Sequence, residues 1–170
     1  AGSDSKADFK LSECEILRPY HVAILAKCDQ LVKNQESAYD DYRFNEIGQQ
    51  LYDFLWSEFC DKFLEAVKGD LRDDASKSQR ETTLGVFDSV MVRYLQLLHP
   101  YMPHLTEELS SRMGYIEEGQ FVMEKQLPVS GLLDGVDVRV ISEGCEQAAA
   151  VYKTAAQLRN LKAEYRLAAR

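Results

Sequence analysis

The sequence of 170 residues carries 20 basic and 28 acidic side chains, a formal charge of −8 and a pI near 4.9. With 45% hydrophobic and 10% aromatic residues it has the apolar mass for one buried core and is too apolar for a disordered or low-complexity chain. Its acidity excludes a surface that sheathes nucleic acid throughout, so any RNA contact must be local.

Residues 1–10 are polar and read as a disordered lead-in or an expression scar, leaving residues 11–170 as one helical domain. Between 13 and 33, Tyr20, Ile24, Cys28 and Leu31 recur at steps of three and four, which predicts an amphipathic helix that Pro19 opens or kinks. The polar, acidic stretch 34–41 reads as a turn. The strongest pattern follows at 43–68. Phe44, Ile47, Leu51, Phe54, Leu55, Phe59, Phe63, Ala66 and Val67 form one stripe, and Tyr52, Trp56, Cys60 and Leu64 widen it, predicting a long central helix with Trp56, Phe59 and Phe63 in the core. Gly69 and Asp70 end it, and 71–78 reads as an exposed charged loop.

A third helix is expected over 79–98, with Leu84, Phe87, Met91, Tyr94, Leu95 and Leu98 on its apolar face, stopped by Pro100. Pro103 restarts a short fourth helix to about Met113. Residues 114–141 are irregular, with a brief strand-like alternation at Val136, Val138 and Val140. A last helix over 143–166 would place Ala148, Val151, Ala155, Leu158, Leu161 and Tyr165 inward. The expected fold is an all-α antiparallel bundle of four to five helices.

Catalytic signatures are missing from this pattern. Cys14, Cys28, Cys60 and Cys145 are scattered, with no C-x-x-C pair, and read as buried thiols of a reducing compartment, which makes the cytoplasm the expected location. His21, His99 and His104 sit in three settings, none at the spacing of two ligands on one helical face, so no metal site is expected. Glu107 and Glu108 diverge by about 100° on a helix and answer the helix dipole rather than acid–base chemistry. The glycines are isolated and build no phosphate-binding loop. No apolar run reaches the roughly 18–20 residues of a membrane-spanning helix, so a soluble chain without a membrane partner is expected. A rigid helical scaffold points to binding.

Three strings then carry a resemblance. Tyr42-Arg43-Phe44-Asn45-Glu46, continued by Leu51-Tyr52-Asp53-Phe54-Leu55-Trp56-Ser57-Glu58-Phe59-Cys60-Asp61, resembles the anticodon-binding domain of valyl-tRNA synthetases. Leu97-Leu98-His99-Pro100-Tyr101-Met102-Pro103 with Thr106-Glu107-Glu108-Leu109, and Arg159-Asn160-Leu161-Lys162-Ala163-Glu164-Tyr165, resemble later segments of the same domain in the same order. Lys62, His104 and Ser110 depart from the family's usual tryptophan, phenylalanine and aromatic residue, whereas Phe59-Cys60-Asp61 favours the valyl branch over leucyl, isoleucyl or methionyl relatives.

The resemblance implies a tRNA-binding module, with valine tRNA as partner and the other domains of a parent synthetase beside it. The chain is expected to be a monomer and an excised fragment or stand-alone homologue, with no HIGH-type or KMSKS-type signature and no aminoacylation of its own. ATP and magnesium are expected only for a catalytic domain elsewhere. Valine anticodons end in adenine then cytosine, and the implied reading surface is Arg43, Phe44 and Asn45, with Tyr101, Met102 and Pro103 as a second wall. Phe44 equally fits the first core position of its stripe, and Arg43 a solvated flank. Residues 151–170 hold five cations against one glutamate, a local +4 that leaves −12 on the remainder. Within it, Lys153, Arg159 and Lys162 are candidates for sequence-blind phosphate contacts or a solvated helix face. A helical protein-interaction module without RNA binding is the remaining alternative.

Overall fold

The computed structural model describes residues 17–165, and every regular element among them is helical. Helix α1 spans Pro19–Asp40, α2 spans Phe44–Asp53 and runs on as a π-helical segment, Phe54–Leu64, with a closing turn at Glu65–Val67. Helix α3 is Lys77–Leu98, α4 is Pro103–Met113, a 3-10 turn covers Val122–Glu124, and α5 is Val138–Glu164.

Helix α1 is the hub, packing against α5, α3, α2 and the π-helical segment. Pro19 takes its first turn, where a missing N–H costs nothing, and so opens the helix rather than kinking it. The helix continues through 34–40, where a turn was expected, because Gln35 and Ala38 extend the buried stripe of Ile24, Leu25, Cys28, Leu31 and Val32. Gly144 lets α5 lie close on α1, since a Cβ there would stand 3.1 Å from Val22.

The central helix corrects the sequence reading in one respect. Ile47, Leu51 and Phe54 are buried at steps of four and three, but Phe54, Phe59, Phe63 and Val67 follow at five, four and four, the wider winding of a π segment. That slip rotates the second stripe outward, so Trp56 (53% exposed) and Tyr52 lie at the surface against each other instead of in the core. In α3 the buried face runs through Thr83, Val86, Val90, Tyr94 and Leu97, and Leu84 is exposed. The Val136–Val140 alternation is not a strand. Val138 and Val140 fall in the first turn of α5, both exposed.

The second half of α5 also departs from expectation. Gly144 and Ala148 are its buried residues, whereas Val151, Leu158, Leu161 and Tyr165 are exposed. Cys14, Arg166, Arg170 and the 1–10 lead-in lie outside the described residues.

Three polar devices brace the fold. The Arg18 N–H donates to His21 Nδ1 (3.2 Å), which assigns the proton to Nε2 and lets it donate to Thr83 Oγ1 (3.0 Å). Thr83 in turn donates to Asp70 (2.9 Å), which also accepts from Tyr20 (2.5 Å) and Gln79 (3.4 Å). Farther along α1, the Asp29 carboxylate accepts from the backbone N–H groups of Gly131 (3.0 Å), Leu132 (3.1 Å) and Leu133 (3.4 Å), tying the connector to the hub. Glu107 does the same for the N–H groups of Val122 (2.9 Å) and Met123 (3.3 Å), a role that dipole arguments did not suggest.

Burial lowers the His21 pKa to about 4, with Asp70 opposing the shift. A histidine depressed in the folded state gives its full stabilisation above its ordinary pKa of about 6.5 and loses it as pH falls toward 4. Urea denaturation stepped from pH 6.5 to 5 is expected to show stability falling by about 1 kcal/mol per pH unit. His21→Gln should flatten that slope, and an unchanged slope would assign the loss to other groups.

Candidate nucleic-acid interface

The junction of α1 and α2 is built by the end of α1. The Arg43 N–H bonds Ala38 O at 2.8 Å and the Tyr42 N–H bonds Tyr39 O at 3.1 Å, the paired bonds of a Schellman cap. Such a cap needs a left-handed residue, and α4 uses Gly114 (φ 73°) for it. Here Tyr42 takes the position at φ 56°, an uncommon conformation for a side chain with a Cβ. Its ring is 80% exposed.

Beside it the Phe44 ring is half exposed and meets Tyr39 and Tyr42 edge-on, at centroid distances of 6.2 and 6.1 Å. The Tyr101 hydroxyl reaches Phe44 O at 3.5 Å, which brings the α3–α4 turn, with exposed Met102 and Pro103, against the start of α2. Thus Phe44 is neither a buried core residue nor isolated, and Asn45 is exposed next to it. Burial and the neighbouring Tyr101 hydroxyl push the Tyr39 pKa up to about 12.

Arg43 is clamped. Its Nε donates to Asp41 (3.2 Å), Nη2 to Asp41 (3.0 Å) and Ser37 (3.2 Å), and Nη1 to Glu46. Those carboxylates raise its pKa above the ordinary arginine value. With most of its five donors engaged, the guanidinium braces the loop and offers little to a phosphate.

Lys153, Arg159 and Lys162 occupy a different place. All three are exposed on α5, and Arg159 acts electrostatically on Glu65, at the far end of the central helix from Phe44. At about 1.5 Å per residue that separation is on the order of 30 Å. Lys153 lines an open groove of about 600 Å³ between α1, the π-helical segment and α5, with Lys27, Lys62 and Tyr152, and Lys62 is held by Glu58 at 2.7 Å. The structure therefore gathers Arg43, Phe44, Asn45, Tyr101, Met102 and Pro103 at one end and leaves the three α5 cations apart from them.

A second cavity, of about 280 Å³, adjoins the aromatic cluster through Tyr39. Its walls include Val32 and Gln35 of α1, Leu97 of α3, and Pro128 and Val129 of the connector that Asp29 anchors. Gln35 escaped the sequence reading because a polar residue in an acidic stretch looked solvated. Its place seven residues after Cys28 on the buried stripe was the available signal. Among the described residues no group of three His, Cys, Asp or Glu side chains is disposed to hold a metal ion, and no helix is long and apolar enough to cross a membrane.

Comparison with known proteins gives a consistent result. The family model described as "Anticodon-binding domain of tRNA ligase" matches residues 22–170. The valine–tRNA ligase of Thermosynechococcus vestitus is 30% identical over 164 residues, covering 96% of this chain and 16% of that protein. That of Dehalococcoides mccartyi is 33% identical across 84% of the chain and 16% of the relative, and that of Nitratidesulfovibrio vulgaris 41% identical across 53% and 10%. The chain spans about a sixth or less of the length of these curated relatives.

The left-handed Tyr42 yields a stability test. Tyr42→Gly is expected to raise the free energy of unfolding by about 0.5–1 kcal/mol in urea titrations, the relief of the left-handed conformation outweighing glycine's added freedom when unfolded. Tyr42→Ala keeps the Cβ and should show no such gain.

Proposed function

Since the chain belongs to the family of anticodon-binding domains of tRNA ligases, we propose that it reads the anticodon arm of valine tRNA as one module of a cytoplasmic valine–tRNA ligase. In this reading it acts as a monomer with respect to tRNA. Other domains of the parent enzyme attach the amino acid using ATP and magnesium.

The observation that carries this reading is the exposed aromatic cluster of Tyr42, Phe44 and Tyr101, held at one end of the bundle by a rigid cap. Sequence-specific RNA recognition favours unstacked loop bases, which stack on aromatic side chains and present their edges to fixed polar groups. A ring fixed by a helix terminus binds without the ordering cost of a mobile loop. The α5 cations, of which Arg159 lies on the order of 30 Å from Phe44 along the central helix, support a separate phosphate-tracking contact to the stem. The exposed Val151, Leu158, Leu161 and Tyr165 support packing of distal α5 against other domains of the parent.

Fluorescence titration tests the reading, with the exposed Trp56 as reporter, using valine tRNA and an anticodon-substituted control at low and moderate salt. Valine tRNA is expected to bind at least about tenfold more tightly than the control. Phe44→Ala should weaken binding of valine tRNA by about 1–3 kcal/mol and remove most of the discrimination. Charge reversal at Lys153, Arg159 and Lys162 should lower affinity for both RNAs and flatten the salt dependence. Equal affinity for the two RNAs would reject base readout.

A further inference from the structure

The open groove of about 600 Å³ between α1, the π-helical segment and α5 shares no wall with the aromatic cluster. Its volume lies within the range of sites that bury a bound group, and its lining is mostly apolar with a few charged side chains. Ala23 and Ala26 of α1 and Ala148 and Ala149 of α5 make the floor, and Tyr152 lines it beside them. Burial, with Glu58 nearby, pushes the Tyr152 pKa up to about 12, as expected of a poorly hydrated wall.

The rim is basic on a chain whose net charge is −8. Lys27 and Lys153 are exposed and make no ion pair among the described residues, whereas Lys62 is held by Glu58 at 2.7 Å. Lys27 acts electrostatically on the Cys145 thiol, which sets its ammonium near the start of α5. Lys153 follows Cys145 by about two helical turns, roughly 12 Å along the axis. Two free cations thus stand two turns apart over an apolar floor. Every wall is helical, so no sheet edge is offered to an extended peptide. A nucleic-acid backbone would answer the lysines and leave the floor uncovered. A helix answers both, because residues seven apart share one face about 10.5 Å from each other, with the side chains three and four along lying between them.

We propose that this groove docks an acidic amphipathic helix of a partner protein, whose carboxylates two turns apart pair with Lys27 and Lys153 while the apolar side chains between them cover Ala26, Ala148 and Ala149. The inference goes beyond the anticodon reading and does not rest on it. A bound partner withdraws Lys153 from RNA and leaves Arg159 and Lys162, which do not line the groove, in place for it.

The test uses the full chain and three labelled peptides of equal length, each stapled as a helix with an alanine and leucine face. The first carries two glutamates seven residues apart, the second the same glutamates four residues apart, and the third lysines in place of the glutamates of the first. Fluorescence anisotropy is expected to show the first binding at least about tenfold more tightly than either control. Combining Lys27→Glu with Lys153→Glu, both at exposed positions, should reverse the order in favour of the lysine peptide. Equal affinity for the three peptides, or an order that the double charge reversal does not move, would overturn the proposal.

Cys145 gives a readout in the unmodified protein. Site-resolved alkylation with iodoacetamide should be slowed at Cys145 by the first peptide and left unchanged at Cys60, which does not line the groove. An unprotected Cys145 would overturn the assignment. So would protection by an anticodon stem-loop RNA and not by the peptide, which would give the groove to nucleic acid.

Discussion

A helix buried on several sides cannot leave its inward polar groups to water, and this constraint on α1 organises the rest of the molecule. His21 is satisfied by a chain through Thr83 to Asp70, which joins the starts of α1 and α3 to the loop after the central helix. Asp29 is satisfied by three consecutive main-chain N–H groups, and so folds the connector onto the hub with Leu132 and Leu133 buried beneath it. Gln35 uses its nitrogen to hold Ile47 O, tying α1 to the start of the central helix. Buried or half-buried polar side chains along one helix thus fix, in order, the bundle's base, its side wall and its aromatic end.

How far the sequence foretold this depends on the kind of signal. Hydrophobic spacing identified every long helix, and Pro103 marked the first residue of α4, because proline and periodic burial act locally. The end of α1 was misplaced because its cap carries tyrosine where glycine is the usual flag, so nothing at Tyr42 announced a left-handed residue. Trp56 was misassigned because a period of 3.6 was carried through a segment that winds more widely. The strand-like valines at the start of α5 failed for want of a partner, since alternation without a second strand has no ladder to join.

The distal part of α5 is instructive in the same way. Its apolar residues repeat at the helical spacing of a core face, yet Val151 and Leu158 are 62% and 57% exposed. Periodicity reports that a face is built to be covered, not which surface covers it. The pattern at Arg43-Phe44-Asn45 was legible through family resemblance, whereas the local physics left core and surface readings of Phe44 equally open. The structure places its ring half exposed, bracketed by Tyr39 and Tyr42, because the cap turns the chain just before it.

The charge arrangement then favours rings over cations at the aromatic end. Arg43 is surrounded by Asp41, Glu46 and Ser37, and the adjoining cavity adds Glu36 and Asp40, so a phosphate approaching closely would meet carboxylates as well as the guanidinium. Of the α5 cations, Arg159 stands toward the opposite end, where it acts on Glu65, and Lys153 lines the groove between α5 and α1. A bundle of net charge −8 can therefore serve an RNA ligand by dividing the labour along its length. In the function proposed above, neutral, shape-dependent contacts would discriminate sequence at the aromatic end, and screened, sequence-blind attraction would act along α5.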